Sequence, residues 1–152
     1  MAVWRRWKWK SFWRIWNIKD IPRWKKRSPK KDMPTISIPN QTIYYAARGQ
    51  HGAPLVFIHG AGDNHLLWND ALVAAANASR AYALDLPGHG RSSGSGCATI
   101  LDYANVVREF LDAAEIARAI FVGISMGGAI AQTLALEFPT RVLGLGLVGT
   151  GA

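Results

Sequence analysis

The sequence predicts an α/β fold built on a mostly parallel sheet. Three observations carry that prediction. Short apolar or β-branched runs alternate with amphipathic stretches along residues 33–152, the order produced by crossover helices between parallel strands. Two of the runs, Pro54-Leu55-Val56-Phe57-Ile58 and Ala119-Ile120-Phe121-Val122, are apolar throughout, as strands covered on both faces are. The second of these leads straight into Gly123-Ile124-Ser125-Met126-Gly127 and then into a helix-forming stretch, so strand, tight turn and helix follow without a linker.

Each element can be justified in turn. Thr35–Ile38 and Thr42–Ala46 read as strands, and Pro39-Asn40 between them suggests an antiparallel hairpin. Pro54–Ile58 is the first buried strand. Leu66–Ala76 reads as a helix, with Leu67, Ala71 and Ala74 or Ala75 at core spacing and Trp68 as a large packing residue. Ala81-Tyr82-Ala83-Leu84 is the next strand. Residues 86–98, rich in Gly, Ser and Pro, form a loop. Leu101, Ala104, Val107, Leu111 and Ala114 recur at three- and four-residue steps and give an amphipathic helix. Strand 119–122, the serine turn and a helix over 126–137 follow, and Pro139 stops that helix. Val142–Val148 is a last apolar strand.

Charge divides the chain into two parts. Residues 1–32 hold 12 of the 18 Lys and Arg against Asp20 and Asp32, a net charge of +10. Residues 33–152 carry 6 Arg, no Lys and 8 acidic residues, a net charge of −2. Trp divides the same way: six of the seven lie in the arm, and Trp68 alone lies beyond it. Neither a helical nor a strand period orders the arm's aromatic residues. Indole rings favour the membrane–water interface and Lys and Arg are drawn to anionic lipid, so the arm points to peripheral membrane contact. Nucleic acid would share the electrostatic basis but is not the partner we expect. Met33-Pro34-Thr35-Ile36-Ser37-Ile38 also reads as a natural domain opening, so residues 1–32 are a disordered tail, an interfacial arm or sequence upstream of the native start; composition does not decide among them. No window of 18 apolar residues exists, so no membrane-spanning segment is expected. The single cysteine, Cys97, cannot form an internal disulfide and fits a reducing compartment, which predicts a cytoplasmic protein, membrane-associated if the arm is interfacial.

Three motifs, each just after a predicted strand, resemble the α/β-hydrolase family in the right order. His59-Gly60-Ala61-Gly62 follows the first buried strand. Asp85-Leu86-Pro87-Gly88-His89-Gly90-Arg91-Ser92 follows the next. Gly123-Ile124-Ser125-Met126-Gly127 matches the family's Gly-x-Ser-x-Gly turn. The resemblance covers residues 33–152 and implies the N-terminal half of a serine hydrolase. It implies Ser125 as nucleophile, with the backbone N–H groups of Met126 and Ala61 as oxyanion donors. It makes His59 a structural brace and Asp85 an organiser of its loop, and it gives Ile124 an interior position. By their surroundings, His65 and His89 read as surface or locally hydrogen-bonded groups, and Asp63 as the cap of the following helix. No cofactor is expected. No His pair has metal-ligand spacing, no phosphate loop is present, and Gly60-Ala61-Gly62 lacks the further Gly of a nicotinamide site.

The resemblance also shows what the sequence lacks. In this fold the triad acid and base follow the serine. All four His precede Ser125, and the 25 residues after Gly127 contain neither His nor Asp. The expectation is a small-molecule acyl substrate (ester, lactone or thioester) for a serine hydrolase that is incomplete as given. The alternative is a non-catalytic, truncated relative whose basic arm binds membrane or nucleic acid. Ser at 125 argues against the carboxylate-nucleophile dehalogenases and epoxide hydrolases; carbon–carbon hydrolases and cofactor-free haloperoxidases stay open. With no strand beyond it, Val142–Val148 is expected to be an exposed apolar edge that associates with another chain.

Overall fold

Six strands form one sheet in the order β1-β2-β4-β3-β5-β6. They are β1 (Thr35–Ile38), β2 (Gln41–Arg48), β3 (Ala53–Ile58), β4 (Ser79–Leu84), β5 (Ala119–Ile124) and β6 (Val142–Val148). The helices are α1 (Asn69–Ala75), α2 (Ile100–Ala113) and α3 (Met126–Glu137). The structure, a computed structural model, describes residues 34–151. The basic arm, with the readings attached to it, lies outside the described residues.

The predicted hairpin forms: β1 pairs antiparallel with β2, from Thr35 opposite Tyr44 to Ile38 opposite Gln41. Asn40 takes the turn at φ 65°, a conformation Asn tolerates better than most residues. β2 then pairs antiparallel with β4, while β4, β3, β5 and β6 run parallel. The fold is therefore the mixed, mostly parallel sheet that the alternation of elements implied.

The main core lies between one face of the sheet and helices α2 and α3. Val56, Ile58 and Phe121 meet Phe110, Leu111, Ile130 and Leu134 there, all of them buried. α2 starts cleanly because Thr99 and Asp102 form a reciprocal capping box. Its buried face is carried by Tyr103, Ala104, Val106, Val107, Phe110 and Leu111, whereas Leu101, expected inside, is 44% exposed. The opposite face of the sheet has a smaller core of Phe57, Leu72, Ala81 and Ala83, with the Trp68 ring stacked 4.9 Å from that of Phe57. Val122 packs at the margin of this core, and Ile120 and Ile124 are only partly buried, so Ile124 is not the fully interior filler the resemblance implied.

The predicted helix over 66–76 divides in two. A 3-10 turn spans His65–Trp68 and α1 begins at Asn69. The tighter winding shifts which side chains face the sheet: His65 and Leu72 are buried, and Leu67 is 44% exposed. Asn64, not Asp63, caps this turn, its side-chain oxygen accepting the Leu66 N–H at 3.0 Å. Asp63 instead accepts the Asn64 N–H at 2.8 Å.

Candidate active site

β5 ends at Ile124 and α3 begins at Met126, leaving Ser125 alone to make the turn. Its backbone stands at φ 51°, ψ −118°, a region L-residues avoid, and its side chain is exposed. The turn is this sharp because backbone crowds it from both sides. A Cβ on Gly123 would collide with the Gly127 carbonyl, and one on Gly127 with the Ile58 and His59 carbonyls at the end of β3. Only glycine fits at either position, which is the physical content of the Gly-x-Ser-x-Gly spacing. The Ser125 N–H donates to the Val148 carbonyl at 3.0 Å, and its own carbonyl accepts from Gly128 and Ala129. The main chain at the serine is thereby pinned from β6 on one side and α3 on the other.

The His59-Gly60-Ala61 segment comes against this turn. A Cβ built on Gly60 would lie 3.4 Å from Ser125 Cβ. Among the described residues, neither the Ala61 nor the Met126 N–H makes a hydrogen bond. The Met126 N–H also belongs to the first turn of the twelve-residue helix α3, where the partial positive charge of the helix resides. An exposed hydroxyl next to a helix N-terminus with a free main-chain N–H is suited to hold negative charge on an oxygen near that hydroxyl. Ser125 and Met126 also line an open groove of about 520 Å3 with Ile100, Gln132 and Leu136, walled on its other side by residues 149–151. Thr150 packs against Gly128, where a Cβ would lie 2.6 Å from the threonine, and Gln132 Nε2 donates to the Gly151 carbonyl at 3.0 Å.

His59 braces the segment from below. It is fully buried; its Nδ1–H donates to the Gly60 carbonyl at 2.7 Å, and its Nε2 accepts the Leu86 N–H at 3.0 Å. Burial pushes its pKa below the ordinary histidine value, which agrees with a neutral ring. Both ring nitrogens are thus engaged in joining the end of β3 to the loop after β4.

Asp85 is fully buried at the end of β4 and organises that loop. One carboxylate oxygen accepts from the His65 N–H at 2.7 Å and from His65 Nδ1 at 2.8 Å; the other accepts the Arg91 N–H at 2.8 Å. Ser92 Oγ donates to the Asp85 carbonyl at 2.6 Å and accepts the Tyr44 N–H at 2.8 Å, which stitches the loop to β2. His65 is therefore a buried partner of Asp85, 4% exposed, and not the surface residue expected from its neighbours. Its role follows from a demand rather than a pattern: a carboxylate at the end of a buried strand must find donors. His89 keeps to its own loop, with Nδ1 2.9 Å from the Pro87 carbonyl oxygen.

The family sequence model described as alpha/beta hydrolase fold matches residues 53–151, which spans β3, β4, the serine turn and β6. The chain belongs to the α/β-hydrolase family. Among its curated relatives, a pimeloyl-[acyl-carrier protein] methyl ester esterase of Pectobacterium carotovorum is 40% identical over 101 residues, covering 66% of this chain and 38% of the esterase. The dihydrolipoyllysine-residue acetyltransferase component of the acetoin cleaving system of Cupriavidus necator is 42% identical over 107 residues, 70% of this chain and 29% of that protein. Among solved α/β-hydrolase structures, an N-acyl homoserine lactone degrading enzyme superposes with a TM-score of 0.73 at 35% identity, covering 78% of this chain and 46% of that one. The chain thus spans well under half the length of the curated relatives it matches.

Proposed function

We propose that residues 34–151 supply the nucleophile and oxyanion-binding half of a serine hydrolase acting on a small acyl ester, lactone or thioester. Ser125 Oγ attacks the acyl carbonyl and its proton passes to a base. The carbonyl oxygen becomes an oxyanion held by the Ala61 and Met126 N–H groups. The tetrahedral intermediate collapses, the leaving alkoxide or thiolate takes up the proton, and water then releases the acid from the acyl-serine. The observation that carries this reading is the Ser125 backbone at φ 51°, ψ −118°, at the N-terminus of α3 with Gly60 close against it. Strain of that kind persists only where its surroundings impose it, and it concentrates at reacting groups. The names of the methyl ester esterase and of the lactone-degrading enzyme agree with acyl chemistry.

The base and its acid come, in this reading, from outside these 152 residues, since every His precedes Ser125 and His59 has both nitrogens occupied. Turnover by this chain alone is therefore expected to be negligible, and a stoichiometric label is the proper test. A fluorophosphonate probe is expected to modify Ser125, with the label lost in Ser125→Ala. Without its base the serine reacts slowly, so labelling is read over hours at high probe concentration; equal labelling of the Ser125→Ala variant would refute the assignment.

The arm favours a second reading, a membrane-binding chain without catalysis, on its +10 charge and six Trp. Vesicle binding by a chain that the probe does not label is its signature.

A further inference from the structure

We propose that His65, acting through Asp85, is a positioning residue for the oxyanion site: the pair is the second of two pins that hold the turn carrying Ala61 against Ser125. The inference rests on the reading of Ser125 as nucleophile and of the Ala61 N–H as donor.

Ala61 sits in a turn. The Asp63 N–H donates to the Gly60 carbonyl at 3.3 Å, and Gly62 supplies a positive φ of 77°. Ala61 and Gly62 are exposed, so no core packing fixes them. Whatever holds the turn must act at its ends. On one side His59 accepts the Leu86 N–H. On the other, His65 meets Asp85, the residue just before Leu86, through its N–H at 2.7 Å and its Nδ1 at 2.8 Å. Two adjacent residues after β4 thus grip both ends of segment 59–65. Between the pins the segment is tied by its own bonds. The Asn64 N–H donates to Asp63 at 2.8 Å, and the Leu66 N–H to the Asn64 side chain at 3.0 Å. A displacement at 65 is therefore passed on to 61 instead of being absorbed.

Asp85 is itself held still. It is fully buried, and its second oxygen accepts the Arg91 N–H at 2.8 Å. Gly90 passes so close that a Cβ there would collide with the carboxylate. A carboxylate only accepts, so His65 Nδ1 carries the proton. The His65 main chain alone would give one bond to Asp85. The ring adds a second to the same oxygen, which fixes direction as well as distance.

A carboxylate bonded to an imidazole also has the form of a general base, but the ring stands in the wrong place to serve Ser125. It is buried against Tyr44, with ring centroids 4.9 Å apart, and does not line the groove beside the serine. The group that comes against the serine is Gly60, where a Cβ would lie 3.4 Å from Ser125 Cβ. His65 acts on the turn, and the turn acts on the site.

The test compares His65→Asn, whose amide N–H can replace Nδ1–H, with His65→Leu, which has nearly the same shape and no donor. Over hours, a fluorophosphonate forms a bond from Ser125 Oγ to phosphorus, fluoride leaves, and the serine proton goes to water. The phosphoryl oxygen of the adduct takes the place of the oxyanion, so its phosphorus NMR shift reports the donors around it. The adducts of the parent full chain and of His65→Asn are expected to share one shift, displaced from that of the same phosphonate ester free in water. In His65→Leu the shift should move toward the free ester, and labelling should slow by about tenfold, less than outright loss of a donor costs. Val107→Ala, which weakens the main core and leaves both pins intact, should keep the parent's shift. Amide exchange at Asp63 needs no adduct. It should quicken in His65→Leu and not in His65→Asn. A folded His65→Leu chain with the parent's shift and exchange overturns the proposal. So does a Val107→Ala chain whose shift moves as far, or a folded His65→Asn chain that behaves as the leucine chain is expected to. Should the leucine chain not fold, the asparagine chain still decides, since parent-like behaviour there supports the pin. A parent adduct at the free ester's shift, with exchange at Asp63 still governed by residue 65, would instead remove Ala61 as donor, and its positioning role with it.

Discussion

Ser125 occupies a backbone conformation that no side chain favours. The turn is imposed by the close approach of β3, β5 and α3, which leaves glycine as the only residue fitting at 123 and 127. At 125 itself a side chain is present and held at φ 51°. Non-glycine residues in such regions cost about 1–3 kcal/mol, and glycine there trades that strain for about 0.5–1 kcal/mol of backbone entropy. Ser125→Gly should therefore raise stability, by about 1 kcal/mol, while removing the hydroxyl that the probe would label. Urea denaturation of the two chains checks it. A glycine variant less stable than the parent would mean that the turn is not strained at this residue. The motif's spacing disclosed the turn, but the strain became visible only in the backbone angles.

At the scale of elements, the site depends on a joint. His59 ends β3, and through its two nitrogens it fixes the Gly60 carbonyl and the Leu86 N–H, so the segment carrying Ala61 and the loop after β4 move as one piece. That joint requires a neutral ring, because Nε2 must accept. Burial lowers the folded-state pKa, so the stabilisation is fully present above the unfolded value, about pH 6.5, and is lost as pH falls through the lower folded value. His59→Gln should then show a shallower loss of stability on acidification than the parent chain, whatever it costs at neutral pH. Parallel slopes in denaturation series would rule the joint out as an acid-sensitive element. Strands, helices and their order were legible in the sequence because alternation and apolar runs report burial directly. The 3-10 turn was not, since Leu66-Leu67 imitates a helical core face; nor was the His65–Asp85 pair, which joins residues twenty positions apart through a requirement of the buried carboxylate. The groove beside Ser125 was equally hidden, because α3 and residues 149–151 meet only in three dimensions.

At the scale of the whole molecule, charge and chemistry are segregated. The serine turn and its supports lie in residues carrying −2, whereas residues 1–32 carry +10 with six of the seven Trp. Basic residues near an anionic bilayer contribute about 1 kcal/mol each and are screened within a Debye length. Trp adds interfacial affinity that salt does not screen. The full chain should therefore sediment with vesicles containing phosphatidylserine and not with pure phosphatidylcholine, and binding should weaken as salt rises without vanishing. Residues 33–152 should not sediment with either. Fluorescence gives a second readout: the full chain's emission, dominated by the arm, should shift to the blue on binding, while the shorter chain reports Trp68 alone and should not respond. Equal binding by both chains would assign the affinity to the hydrolase domain's exposed leucines instead, and the arm would lose its membrane role.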